Sequence, residues 1–181
     1  MHFKFKINEN NEIVNYQNRG MELEQEINET NAYYKDNNIA LIYKKPTPIK
    51  IVKCINKKIS EAYFEEASTT DYCGVYKGRY LDFEAKETTS STSFPLSNLK
   101  DNQIEHIKSV IKHKGIAFLV VSFTDIEKYY LLKGEDLILF IENAKRKSIP
   151  LFYFKTHALE ITRTLFPPLD YLTVLEKIVE F

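Results

Sequence analysis

The stretch STTDYCGVYKGRYLDFEAKET, Ser68 to Thr88, contains two strand-like runs on either side of Lys77-Gly78. Glycine suits a left-handed turn position, so the pair reads as a hairpin. Residues two apart on a strand share a face. Leu81, Phe83 and Ala85 form one apolar face of RYLDFEAKE, and Asp82, Glu84 and Lys86 form the other. Three charges on one face are costly if buried without partners. Such a face is either open to solvent, neutralised along the strand by Lys86 with Glu84, or committed to chemistry. Pairing of 72–77 with 79–86 places Asp71 at the start of the hairpin and Glu84 and Lys86 opposite that start. Two carboxylates brought together raise each other's pKa unless a cation sits between them. Mg²⁺, a hard ion held by one or two carboxylates that keeps several waters, is the natural candidate. A lysine two residues after the glutamate points at the same site and can neutralise charge developing on a phosphate.

The flanking sequence supplies a mixed α/β chain. NRGMELEQEINETNAYYKDNN is read as a helix with Leu23, Ile27 and Tyr34 at helical spacing, and Asn37-Asn38 as its stop. IALIY, Ile39 to Tyr43, is expected to be a short buried strand. Pro46 and Pro48 rule out a regular central strand after it. IKIVKCI fits no core pattern and suits a projecting ribbon exposed on both sides, with NKK as its turn and SEAYFEEA as its return. TTSSTSFPLSNL is read as a loop. DNQIEHIKSVIKHKG is an amphipathic helix with Ile104, Ile107 and Ile111 on one stripe and Gly115 as its stop. IAFLVVSF reads as a strand buried on both faces. KYYLLKG is its neighbour through a Thr124-Asp125 turn, GEDLILFIENAKR a helix, and LDYLTVLEKIVEF a terminal helix introduced by Pro167-Pro168. The expected fold is a mixed sheet with helices packed on it.

The bulk numbers set bounds. The chain has 181 residues, the size of one ordinary domain, and 44% of them are hydrophobic, with 12 Tyr and 12 Phe to fill a core. No apolar run approaches the roughly 18 residues of a membrane span. MHFKFKINEN lacks an apolar signal region. Cys54 and Cys73 make no disulfide framework, and neither lies in a CxxC; a reduced, cytoplasmic protein is expected. The formal net charge is zero, which taken alone argues against a nucleic-acid binder. The charge is uneven, however. Ala40 to Ser60 carries Lys44, Lys45, Lys50, Lys53, Lys57 and Lys58 with no acid, while Met21 to Asp36 is mostly acidic. Two solvated surfaces of opposite sign would explain this; so would a basic DNA-binding face.

Asp71 … Glu84-Ala85-Lys86 is the D … (D/E)xK pattern of metal-dependent nucleases. NRGM (Asn18 to Met21), KKPTP (Lys44 to Pro48), the 68–88 stretch, TSFPL (Thr92 to Leu96) and QIEHI (Gln103 to Ile107) together resemble the RecU-type Holliday-junction resolvases, over nearly the whole chain from Asn18. The resemblance implies one restriction-endonuclease-like nuclease domain over 1–181, with a mixed central sheet flanked by helices. It also implies a homodimer that nicks two strands of four-way junction DNA symmetrically with Mg²⁺, for which Mn²⁺ substitutes. Matched residue by residue, metal-site positions fall on Thr69, Asp71, Glu84 and Gln103, and Lys86 falls on the lysine that stabilises the transition state. Read without the family, Gln103 is a helix surface residue and Thr69 a turn residue.

The family also carries a stalk that enters the junction, matched here by about Thr47 to Phe64. Lys44, Lys45, Lys50, Lys53, Lys57 and Lys58 then become phosphate contacts. Arg19 is a further DNA-contact candidate, or else pairs with Glu22 or Glu24. Phe64 is expected in the core, and Asp82 as a near-site or solvated charge. The arm 1–17 is short and nearly neutral, and Cys73 stands where a small polar residue is more usual. A competing reading is a junction-binding regulator of the RecA recombinase with little nuclease activity. The sequence also suggests IAFLVVSF and the hairpin beside it as a dimer surface.

Overall fold

The structure, a computed structural model, describes residues 21–64 and 69–180. Arg19, the 1–17 arm and the Phe64 side chain lie outside the described residues. The chain begins with α1 (Met21–Asp36) and β1 (Leu41–Lys44), followed by the ribbon strands β2 (Ile49–Ile55) and β3 (Lys58–Phe64). Next come β4 (Tyr72–Tyr76), β5 (Arg79–Thr88), β6 (Ser93–Pro95), α2 (Asp101–Lys112), β7 (Ile116–Phe123), β8 (Lys128–Lys133) and α3 (Gly134–Asn143). The chain finishes with β9 (Ser148–Pro150), α4 (Leu151–His157), β10 (Leu159–Ile161) and α5 (Tyr171–Leu175).

Six strands form one sheet in the order β1-β4-β5-β7-β8-β10. Only β5 and β7 run parallel in it, which requires a crossover, and α2 lies in that connection. The result is a mixed central sheet flanked by helices, as expected. Alternation along the strands divides the core in two. Leu81, Phe83, Phe118 and Val120 pack on the side of Leu23, Ile27, Tyr34 and Tyr171 from α1 and α5. Leu119, Val121 and Phe123 pack on the other side with Ile107, Val110, Leu137 and Phe154 from α2, α3 and α4. Lys77 and Gly78 take φ of 47° and 75°, the two left-handed residues of a tight hairpin turn.

Several expectations change. β1 is an edge strand with only Ile42 buried, because nothing pairs with its outer side among the described residues. The 89–99 segment is not all loop: Ser93–Pro95 pairs with Ser148–Pro150. The left-handed residue ending α2 is Lys114, at φ 66°; Gly115 is needed for space, since a Cβ there would lie 2.7 Å from Val110 Cγ1. The terminal helix is five residues long and is capped by Asp170, whose side chain accepts from the Thr173 N–H. Every residue of β7 is buried inside the sheet, so IAFLVVSF offers no dimer surface. No helix among the described residues is long and apolar enough to cross a membrane.

The ribbon behaves as its sequence indicates. β2 and β3 form a separate two-stranded sheet, and every described side chain from Ile49 to Tyr63 is exposed. Asn56 and Lys57 turn the tip at φ 50° and 63°. Register irregularities fall between Ile51 and Cys54, and exposure of both faces explains why IKIVKCI matches no core pattern.

Candidate active site

The charged face of β5 looks toward α2, and it is neither open to solvent nor simply self-neutralised. Asp82 and Glu84 have no exposure at all. The β4–β5 register pairs Tyr72 with Phe83, so Asp71, one residue further out, stands opposite Glu84. Asp71 Oδ2 accepts the Ala85 N–H at 3.3 Å, which holds its carboxylate against β5. Burial, and then the Asp71 charge, push the Glu84 carboxyl up to about 7, against the opposing pull of Lys86.

Glu84 Oε1 accepts from Gln103 Nε2 at 2.6 Å and is ion-paired with Lys86. Glu84 Oε2 is buried without a hydrogen-bond partner. A buried, unpartnered carboxylate oxygen beside a second carboxylate is a poor arrangement for a protein alone and a good one for a hard cation. No three His, Cys, Asp or Glu side chains converge among the described residues. Lys86 is one-quarter exposed, at the edge of a cleft of about 880 Å³ that also reaches Asp71, Glu87, Thr124 and Asp125.

The structure thus brings Asp71, Glu84, Lys86 and Gln103 together. Gln103 is on the first turn of α2 and only 4% exposed, not a helix surface residue. Both ends of its amide are engaged, since Oε1 accepts from the Lys100 N–H at 3.0 Å at the helix N-terminus. In this state Gln103 clamps Glu84. Thr69 Oγ1 instead accepts from Lys45 Nζ at 3.3 Å, in the cluster that Lys45 makes with Asp82.

The six lysines divide. Lys50, Lys53, Lys57 and Lys58 are exposed along the ribbon. Lys44 is ion-paired with Glu24 of α1, about half exposed. Lys45 turns inward: its ammonium lies 2.6 Å from Asp82 Oδ2 and 2.7 Å from Thr70 Oγ1, with its side chain only 15% exposed. Asp82 is accordingly no solvated charge, and it takes Lys45 out of the set facing outward. Tyr80 Oη donates to Asp82 at 2.7 Å, His106 Nε2 lies 3.1 Å away, and Thr70 Oγ1 donates to Oδ1. Sequence reasoning missed Thr70, Tyr80 and His106. The available signal was parity, because Asp82 shares a strand face with Glu84, and QIEHI puts His106 one helical turn after Gln103. Cys73 is buried on the same face of β4 as Asp71, paired across from Asp82.

The family model of recombination protein U matches residues 18–177. The chain is 50% identical over 173 residues to the Holliday junction resolvase RecU of Pediococcus pentosaceus, covering 91% of this chain and 86% of that one. It is 48% identical over 172 residues to the Holliday junction resolvase RecU of a Geobacillus species, with the same coverage. Among solved structures, Archaeoglobus fulgidus Hjc, a Holliday junction resolvase, aligns with a TM-score of 0.48 and 10% identity over 78% of this chain and 95% of that one. With a family match across 18–177 and half of all aligned residues shared with a relative, the chain belongs to the recombination protein U family.

Proposed function

We infer that this protein is a Holliday junction resolvase, an endonuclease that nicks two opposed strands of four-way DNA junctions during recombination and repair. The observation that carries the reading is the convergence of Asp71, Glu84, Lys86 and Gln103 around a buried, unpartnered Glu84 oxygen, in a chain of this family. Asp71 and Glu84 would hold a divalent cation, Mg²⁺ with Mn²⁺ as its substitute; Thr69 and Gln103 would reach it through water. Bound there, the cation would polarise the scissile phosphate and lower the pKa of a water.

The protein's own groups do the rest. Gln103 fixes the Glu84 carboxylate, and the Ala85 N–H fixes that of Asp71. Lys86, ion-paired with Glu84 and open to the cleft, would place its ammonium to neutralise charge on the phosphate in the transition state. The exposed ribbon, about 23 Å long for seven residues per strand, is the stalk that enters the junction centre. Lys50, Lys53, Lys57 and Lys58 contact phosphates there. The chain works as a single nuclease domain, in a homodimer with one strand cut per subunit, in the cytoplasm; RecA recombinase is a second partner.

A labelled four-way junction titrated with Mg²⁺, with linear duplex as control, tests the reading. Symmetric, metal-dependent nicks on the junction alone are expected. A junction that is bound and left uncut at every Mg²⁺ concentration would identify a junction-binding regulator instead.

A further inference from the structure

Asp82 has four side-chain partners among the described residues, and the chemistry above does not use it. It is fully buried and gathers Lys45, Thr70, Tyr80 and His106. These partners come from different parts of the chain. Lys45 is the last residue before Pro46, where the ribbon leaves the body. Thr70 lies in the segment that carries Asp71, Asp82 is two residues before Glu84 on the same face of β5, and His106 is on α2 one turn beyond Gln103. Lys45 holds three consecutive residues of the Asp71 segment. Its ammonium donates to Thr69 Oγ1 at 3.3 Å and Thr70 Oγ1 at 2.7 Å, and its backbone N–H donates to the Asp71 carbonyl at 2.8 Å.

That segment has few other restraints. Residues 69–71 precede β4 and belong to no regular element. The place of the Asp71 carboxylate relative to Glu84 therefore depends on what pins residues 69–71 to β5. The Ala85 N–H bond to Asp71 is one restraint; the Thr70 hydroxyl bond to Asp82 and the Lys45–Asp82 pair are others. A buried ion pair adds little net stability over apolar packing, so a pair kept in this position is better explained by what it orients.

We propose that Lys45 and Asp82 form a positioning pair that sets the separation of Asp71 and Glu84 and ties it to the root of the ribbon. The pair touches neither metal nor DNA; it acts through Thr69, Thr70 and the Asp71 backbone. Because one of its members is the residue from which the ribbon departs, a ribbon pulled by junction DNA moves the same segment that holds Asp71. This inference rests on the metal site assigned above.

The test is Mn²⁺ binding to the protein alone, by calorimetry or electron paramagnetic resonance, alongside single-turnover junction cleavage. Lys45→Met/Asp82→Asn removes both charges and leaves neither unpaired. It is expected to bind Mn²⁺ about tenfold more weakly and to cut about 10- to 100-fold more slowly at saturating junction, with junction affinity within about twofold; misplacing reacting groups by ~1 Å has losses of that order. Thr70→Val keeps the ion pair and breaks its shortest links to the Asp71 segment, those of the Thr70 hydroxyl with Lys45 and Asp82, so it separates positioning from folding even if the double variant folds poorly. It is expected to weaken Mn²⁺ binding in the same direction. Wild-type Mn²⁺ affinity and cleavage in Thr70→Val would overturn the inference and leave the nuclease reading standing. Mn²⁺ binding unchanged by Glu84→Gln would instead sink the metal site itself.

Discussion

Glu84 is buried with one oxygen bonded and the other bare, and its proton is held to about pH 7 by burial and by Asp71. A buried carboxylate that must lose a proton to bind a cation makes binding pH-dependent. Mn²⁺ affinity should rise as pH climbs from 6 to 8 and level off above, measured by titration; a flat profile would contradict the Glu84 assignment. Among the described residues Lys86 is the one cation touching Glu84, and it faces the cleft. Lys86→Ala is expected to slow nicking by about 10²- to 10³-fold, the usual cost of removing a charge stabiliser from a transition state. Glu84→Ala should remove nicking outright. Both should still shift a junction in a gel run without divalent metal. Persistent cleavage by both variants would exclude this site.

At the level of elements, the ribbon and the body are nearly independent. The ribbon strands pair only with each other, and none of their described side chains is buried. Replacing Lys50, Lys53, Lys57 and Lys58 by alanine should thus leave the thermal midpoint unchanged. If all four meet phosphates, the slope of log affinity against log salt should fall by about 3 to 4 on a junction. An unchanged slope would mean the ribbon does not contact DNA. The opposite case is Gly74 in β4. A Cβ there would lie 2.2 Å from the Leu41 carbonyl oxygen and 2.6 Å from Ile42 Cα, both backbone atoms of β1. Gly74→Ala must push β1 away, and β1 carries Lys44 and leads into Lys45. Overpacking of this kind costs about 1–3 kcal/mol, or about 3–10 °C in a chain of this size. Melting curves for the variant give the answer directly, and an unshifted midpoint would mean that β1 can move at no cost.

For the whole molecule, a cation held at Glu84 would link stability and metal binding through the same carboxylate. The folded-state pKa of Glu84 is raised from 4.5 to about 7. Relative to its charged form, protonated Glu84 contributes stability that is fully present below about pH 4.5 and lost as pH rises through about 7. Above that point the metal-free fold carries a buried charge, which a divalent cation would relieve. Thermal melts with and without Mg²⁺ should show little difference at pH 5.5. At pH 8 and 100 times the dissociation constant, Mg²⁺ should add about 2.7 kcal/mol, or about 5–10 °C. Equal shifts at both pH values would separate the metal from Glu84.

Local pattern was enough for the hairpin, the exposed ribbon, the buried β7 strand, the α2 helix and the pairing of Asp71 with Glu84. Each depends on periodicity, turn residues or the register of a two-residue hairpin, all of which are written in neighbouring residues. Whether the charged face of RYLDFEAKE met water or protein was not. That depended on α2 crossing over β5 to reach a parallel neighbour, a long-range packing choice that buries Asp82 and Glu84 and brings Gln103 and His106 over them. The fate of Lys45 was equally hidden. In sequence it is one lysine among six, and only the fold brings Asp82, 37 residues away, to its ammonium. Alternation specifies which side a residue faces; what lies on that side is set by elements far along the chain.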